Sequence, residues 1–279
     1  MILIPYDSQL WTIYKGAYGN MCEDVKIVMG DIMDISSSSK LERLDLEEKN
    51  DYDTAYENLW ANLLHQADFY EATYIVMPYM VKLLEKNEGN FDRLFSMISN
   101  IGWCLATDIP YYTRRINKTV LSSYESVYNS YESAVSIIRE KTKDFIRNNF
   151  EEIKARDADE KWMFSLSVMA ILFDREAAYE LYMTDWEEGC IRIKCDQCGY
   201  DDENNYFDDE SFLKSITPAP PVQWDGINYD NTYAWFGSFL RDLEVEEADL
   251  VPYLYGIYTC PECGEKKMII DFMKSELSD

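Results

Sequence analysis

The fold class this sequence predicts is mainly α: an α-solenoid of antiparallel helices, followed by a small module built on four cysteines. Three observations predict it. Gly (11) and Pro (8) are scarce in 279 residues, too few for the many turns of an all-β chain. Apolar residues recur at helical spacing through most of residues 23–188, without competing strand alternation. Two CxxC pairs, Cys195/Cys198 and Cys260/Cys263, stand in the last third of the chain.

The helical stripes follow one another closely. Residues Glu23–Ile35 place Val25, Val28, Met29, Ile32 and Ile35 on one face. A four-serine run, Ser36–Ser39, reads as a loop. Tyr52–Gln66 repeats the pattern with Ala55, Tyr56, Leu59 and Leu63, and Asp53 is the expected N-cap. Asp68 is the expected cap of the next helix, which runs to about Leu84 with Pro78 as a bend or boundary. Asn90–Trp103 aligns Phe91, Leu94, Phe95, Ile98 and Ile101. Residues 106–118 contain Pro110 and read as a connection. Ser122–Phe150 is the longest expected helix, and Glu160–Phe173 and Arg175–Glu188 close the series. About seven amphipathic helices joined by short connections favour solenoid stacking, with a compact bundle as the competing arrangement.

After Gly189 the character changes. Ile191–Lys194 alternates like a short strand. Asp201–Glu210 reads as an acidic loop, and Pro218, Pro220 and Pro221 interrupt regular structure. Thr232–Leu243 and Glu246–Tyr255 read as one more helical pair, and Lys267–Met273 as a closing strand.

The cysteine motifs read Cys195-Asp-Gln-Cys198-Gly199 and Cys260-Pro-Glu-Cys263-Gly264. Two thiolates three residues apart reach one ion if the chain between them turns tightly. The following glycine permits that turn and leaves backbone N–H groups free to face sulfur. Two such knuckles make tetrahedral four-sulfur coordination, so the expected cofactor is one structural Zn2+ held by Cys195, Cys198, Cys260 and Cys263. Four sulfurs leave no position for a reacting water. The usual spacer between paired CxxC motifs is roughly 15–20 residues. Here residues 199–259 intervene, so the helical pair is an insertion between two knuckles. A redox-active CxxC is the alternative, but it normally opens a helix in an α/β unit, which this sequence does not show.

Composition excludes several classes of partner. There are 26 Lys+Arg against 52 Asp+Glu, a net of −26. Nucleic acid is therefore not an expected ligand, since phosphate neutralisation needs clustered bases. An anionic membrane surface is disfavoured in the same way, and no apolar run is long enough for a bilayer span. A basic protein partner fits, because long-range attraction speeds encounter; plain solubility explains the same acidity. The acid excess is densest late in the chain: residues 191–279 carry −12, against −14 over the preceding 190. Cys22, Cys104 and Cys190 read as small hydrophobes. Free thiols beside a metal site, with no basic start and apolar run in MILIPYDSQL, give a cytoplasmic expectation.

No catalytic constellation stands out. The single histidine, His65, excludes HExxH-type sites, and no GxSxG elbow, Walker loop or GxGxxG fingerprint is present. His65 reads as a capping or packed residue. Asp201, Asp202, Glu203, Asp208, Asp209 and Glu210 lack EF-hand spacing and read as a solvated loop. The 22 tyrosines suit helix seams and interfaces.

Several segments resemble a group of bacterial HEAT-like repeat proteins. They are Gly16-Ala-Tyr-Gly19 with Glu23-Asp-Val25, Leu59-Trp60, and His65-Gln66-Ala-Asp-Phe-Tyr70-Glu71-Ala72-Thr73. In that group the last segment typically reads HQGTVYEAT before an apolar stretch with a proline, as at Pro78. Similar proteins often end in a CPxCG segment, as at Cys260. The resemblance covers roughly residues 9–84 and 240–273 and implies a helical-repeat scaffold with no assigned activity. It divides the chain into a HEAT-like helical-repeat region, 1–189, and a zinc-binding module with an inserted helical pair, 190–279. The expected function is non-enzymatic protein binding, in its sharper form as an immunity protein or antagonist of a basic bacterial toxin. The alternatives are an acidic-residue or metal-dependent enzyme, and a regulatory assembly protein whose zinc module is the contact surface.

Overall fold

The computed structural model describes residues 1–30, 46–108, 121–184, 190–207, 209–225, 229 and 231–274. The chain is predominantly helical. Among the described residues it divides into two compact units, one ending at Asn149 and one beginning at Phe150.

The first unit contains α1 (Leu10–Ile13), α2 (Cys22–Met29), α3 (Leu46–Leu63), α4 (Ala72–Lys86), α5 (Phe91–Ala106) and α6 (Leu121–Asn148). Helix α4 is its centre. Every residue from Ala72 to Val81, with Leu83 and Leu84, is buried, as expected of a helix enclosed on all sides rather than striped. It packs against α6 and α2, and α2 packs against α3. Pro78 lies inside α4. A proline there removes a backbone hydrogen bond at a cost of about 3 kcal/mol, which the burial on both sides of it offsets.

Two expected caps sit elsewhere. Helix α3 already runs from Leu46, because Glu47, Glu48 and Lys49 are good helix formers and nothing stops them. Asp53 is therefore inside the helix, with its carboxylate 3.9 Å from Arg93. Asp68 ends a short 3-10 turn, His65–Ala67, and α4 starts at Ala72 without a side-chain cap. The Ala72 N–H instead donates to the Lys15 carbonyl at 3.2 Å. A tertiary contact thus does the work of a capping side chain. The left-handed residue of the 3-10 turn is Gln66, at φ 55°. Where side-chain caps do form, the residues are the preferred ones: Asn90, Asp157, Asp174 and Asn231 each accept from the N–H three residues on, and Asp209 from the N–H two residues on. Helix α2 ends at Met29 with Gly30 in the left-handed conformation at φ 74°, which a glycine adopts without strain; residues 31–35 of the expected helix, the serine run and the connection over 109–118 lie outside the described residues.

The second unit contains α7 (Phe150–Lys154), α8 (Ala158–Leu172), α9 (Arg175–Met183), β1 (Cys190–Lys194), β2 (Asp201–Tyr206), α10 (Glu210–Ser215), β3 (Ile216–Thr217), α11 (Thr232–Asp242), α12 (Val251–Leu254), β4 (Ile257–Thr259), β5 (Lys266–Met268) and α13 (Ile269–Lys274). The division falls at 149/150, whereas composition changes near 189, because α8 packs on α11 and α9 on α13. Helix α8 is enclosed, with Phe164–Leu172 all buried. The buried Lys161 ammonium donates to the Leu243 carbonyl at 2.9 Å. This satisfies an orphan carbonyl at the C-terminal end of α11, where positive charge is favoured.

Two small antiparallel sheets complete this unit, β1–β2 and β3–β4–β5. Of the segment expected as an acidic loop, Asp201–Tyr206 is strand β2, paired with β1 from Cys190↔Tyr206 to Lys194↔Asp201, and Asp209 and Glu210 start α10. Arg192 holds Asp201 through two bonds of 2.8 and 2.7 Å, which offsets the low strand preference of Asp. The expected closing strand is only β5; from Ile269 the chain becomes α13, burying Ile269, Ile270, Phe272 and Met273. The second expected helix of the inserted pair reduces to a 3-10 turn, Glu246–Asp249, and the four-residue α12. At Gly256 a Cβ would lie 2.7 Å from Ile216 Cγ2 and 2.9 Å from the Thr217 carbonyl, so β3 approaches β4 only because this residue is glycine. No helix among the described residues is long and apolar enough to cross a membrane.

Candidate metal centre

Both CxxC segments are built as the same turn. In the first, β1 runs into Cys195, whose N–H donates to the Tyr200 carbonyl at 2.8 Å, and the Gly199 N–H donates back to the Cys195 carbonyl at 2.8 Å. In the second, the Cys260 N–H donates to the Glu265 carbonyl at 2.8 Å, and the Gly264 N–H to the Cys260 carbonyl at 3.0 Å. Gly199 and Gly264 adopt φ 77° and 76°. Neither has a heavy atom within 4 Å of a built Cβ, so the glycines are required by the left-handed backbone and not by crowding.

The four sulfur atoms lie within 4.8 Å of one another. Cys195 Sγ is 3.7 Å from Cys263 Sγ, and Cys198 Sγ is 3.7 Å from Cys260 Sγ. A cluster of four thiols this close can hold a metal ion. It is also the only such group of metal-ligating side chains found among the described residues. Cys195 and Cys260 are buried, whereas Cys198 and Cys263 are exposed. Burial opposes ionisation of Cys260. The backbone N–H groups of Cys263 and Glu262, with the neighbouring thiols, outweigh it and bring this thiol down to about 7. A ready thiolate is what a metal ion needs to displace the remaining protons.

An ion pair joins the turns, and a tyrosine hydrogen bond lies beside the first of them. Lys267 of β5 reaches Asp196 of the first turn at 2.6 Å, and this bond holds the Asp196 carboxyl below its ordinary value. The Tyr200 hydroxyl donates to Asp202 at 2.9 Å. Its pKa is raised, first by burial and then by that hydrogen bond, with the nearby Tyr258 ring adding to the effect. Sequence reasoning missed Lys267 and Asp196, and nothing in a chain separation of 71 residues signals such a pair.

The other candidates resolve into ordinary contacts. His65 Nδ1 is 2.8 Å from the Tyr18 hydroxyl, and the two rings meet edge to face at 4.9 Å. Its backbone carbonyl accepts from Tyr70 at 3.1 Å. His65 therefore belongs to a turn and pairs with Tyr18. The acidic stretch separates by partner: Asp201 to Arg192, Asp202 to Tyr200, Asp209 to the start of α10, and Glu210 to Lys214. Asp208 and the Glu203 side chain lie outside the described residues. Cys22 and Cys104 are buried and Cys190 half-buried; the Cys22 thiol donates to the Tyr6 carbonyl at 3.3 Å. The tyrosines include a buried edge-to-face pair, Tyr74 with Tyr131. No protein-family model, no curated protein and no solved structure matches this chain.

Proposed function

We propose that the chain is a non-enzymatic helical-repeat scaffold of the HEAT-like kind that binds a basic protein partner, with one structural zinc ion at Cys195, Cys198, Cys260 and Cys263. The observation that carries the binding reading is the net charge of −26 on a predominantly helical chain. A field of that sign raises the association rate of a basic partner and repels nucleic acid and anionic membranes. In its sharper form the partner is a basic toxin, such as a nuclease, and this chain is its immunity protein. Exposed acids of the second unit, among them Asp242, Glu246 and Asp249, supply groups for Lys and Arg to meet.

Zinc is the ion the donor set favours. Four thiolates select a soft or borderline cation. A tetrahedron with Zn–S bonds of about 2.3 Å has sulfur–sulfur edges of about 3.8 Å, beside the 3.7 Å separations here. Iron–sulfur clusters place bridging sulfides between their irons and hold the cysteine sulfurs farther apart. With four protein ligands, zinc would act by tying the two turns together.

Affinity capture of partners from the native host, with metal content determined on the same sample, tests both halves. A single basic partner is expected, with about one zinc per chain and an association rate that falls steeply as salt rises. A partner whose association rate is insensitive to salt would sink the electrostatic reading.

A further inference from the structure

The four-cysteine site has a chemistry that a purely structural ion does not use. Cys198 and Cys263 are exposed, whereas Cys195 and Cys260 are 0% and 1% exposed. Each exposed sulfur has a buried one from the opposite turn at 3.7 Å: Cys263 with Cys195, and Cys198 with Cys260. The turns belong to different sheets, β1–β2 and β3–β4–β5, so the ties between them are side-chain ties. Joining two cysteines of one turn would close a small ring against the backbone bonds that set its shape, Cys195 N–H to Tyr200 and Gly199 N–H to Cys195. Joining across the turns closes sulfurs from 3.7 Å to about 2.05 Å and leaves the backbone bonds of each turn outside the new link.

The geometry points to an oxidant-dependent exchange of one clasp for another: a peroxide converts the metal site into the disulfides Cys195–Cys263 and Cys198–Cys260, which expel the ion and keep the two turns tied. This rests on the metal reading above. The first step occurs at an exposed sulfur. The Cys263 thiolate attacks one peroxide oxygen, the O–O bond breaks, and hydroxide leaves to be protonated, giving a sulfenic acid. The Cys195 thiolate then attacks the Cys263 sulfur, forming the S–S bond and releasing the second oxygen, which leaves as water after protonation. Two thiolates lose two electrons, one peroxide becomes two waters, and two solvent protons are consumed. The ion, deprived of two ligands, departs hydrated. Cys198 and Cys260 react likewise with a second peroxide. Oxidation and metal starvation therefore differ in outcome: starvation unties the turns, and oxidation does not.

The test uses the full chain, reduced and supplied with zinc. Bound metal is measured before any oxidant is added. Hydrogen peroxide then follows in the presence of a chromogenic chelator, and disulfides are mapped by mass spectrometry. About one equivalent of zinc is expected to be released by one to two equivalents of peroxide, with Cys195–Cys263 and Cys198–Cys260 linked peptides. Hydrogen exchange over residues 190–274 should rise less in the oxidised chain than in the chelated, reduced one. In-turn disulfides, sulfinic or sulfonic acids without linkage, or zinc retained while Cys190 oxidises would each overturn the inference. A reduced chain that takes up no zinc would overturn the metal reading, and this inference with it, before the oxidant is added.

Discussion

The two units are held together by different means. Up to Asn149 the load is spread over long helices: α6 has 28 residues, and α4 buries nearly its whole circumference. In the stretch from β1 to α13 most elements are short. Helices α10, α12 and α13 have six residues or fewer, and no strand exceeds six. Isolated helices of that length are unstable, and two-stranded hairpins are marginal. The four cysteines converge where regular structure is least able to sustain itself. A few strong ties can replace buried area when elements are too short to supply it.

The sharpest way to break this comparison is to remove the tie. On the proposed metal reading, chelation should forfeit stabilisation on the order of 10 kcal/mol, and Cys260→Ser a part of it. Hydrogen exchange should then rise over residues 190–274 and stay unchanged over 72–106. A uniform rise would mean that the first unit leans on the same clasp. The reciprocal experiment is Leu59→Ala, at a fully buried position of α3. It should cost about 3 kcal/mol in denaturant unfolding of the first unit, while the zinc affinity of the four-cysteine site is unchanged.

A third test uses pH. Tyr52 is buried, and burial pushes its pKa up to about 12 from an ordinary 10.0. A group with a raised folded pKa contributes stability that is fully present below its unfolded pKa and lost as pH rises through the folded one. The first unit should therefore hold its stability to about pH 9.5 and lose roughly 2 kcal/mol between pH 10 and 12. Tyr52→Phe should flatten that decline. The smallest effect is expected at Gln66, whose φ of 55° is left-handed. Gln66→Gly should change stability by less than about 1 kcal/mol, favourably if strain relief exceeds the entropy that glycine adds to the unfolded chain. Gln66→Val should destabilise, because a β-branched side chain tolerates that backbone poorly. Thermal midpoints of the two variants read the difference.

How much of this was legible in the sequence follows from chain distance. Helices α2 to α6, α8 and α9 appear in the 3.6-residue spacing of their apolar residues, because that periodicity is local. The caps at Asn90, Asp157, Asp174 and Asn231 are also local, since a side chain there meets an N–H three residues on. Asp53 and Asp68 have the right chemistry for caps, but the helix ends were decided elsewhere: by the helix formers before Tyr52, and by the Lys15 carbonyl that receives Ala72. The acidic stretch at 201–206 reads as a loop when taken alone. It becomes a strand because β1 presents Arg192 to Asp201.

By itself the sequence determined the helical class, the acid excess and the four sulfurs, together with the glycines that let each pair turn. Those properties reside in residue type and short-range spacing. Only the tertiary structure decided that the sulfurs meet within 4.8 Å, that Lys267 closes on Asp196, and that α8 and α9 pack with the elements after them. Each of these depends on residues far apart in the chain, whose approach is set by the total of buried surface and satisfied polar groups rather than by any local pattern.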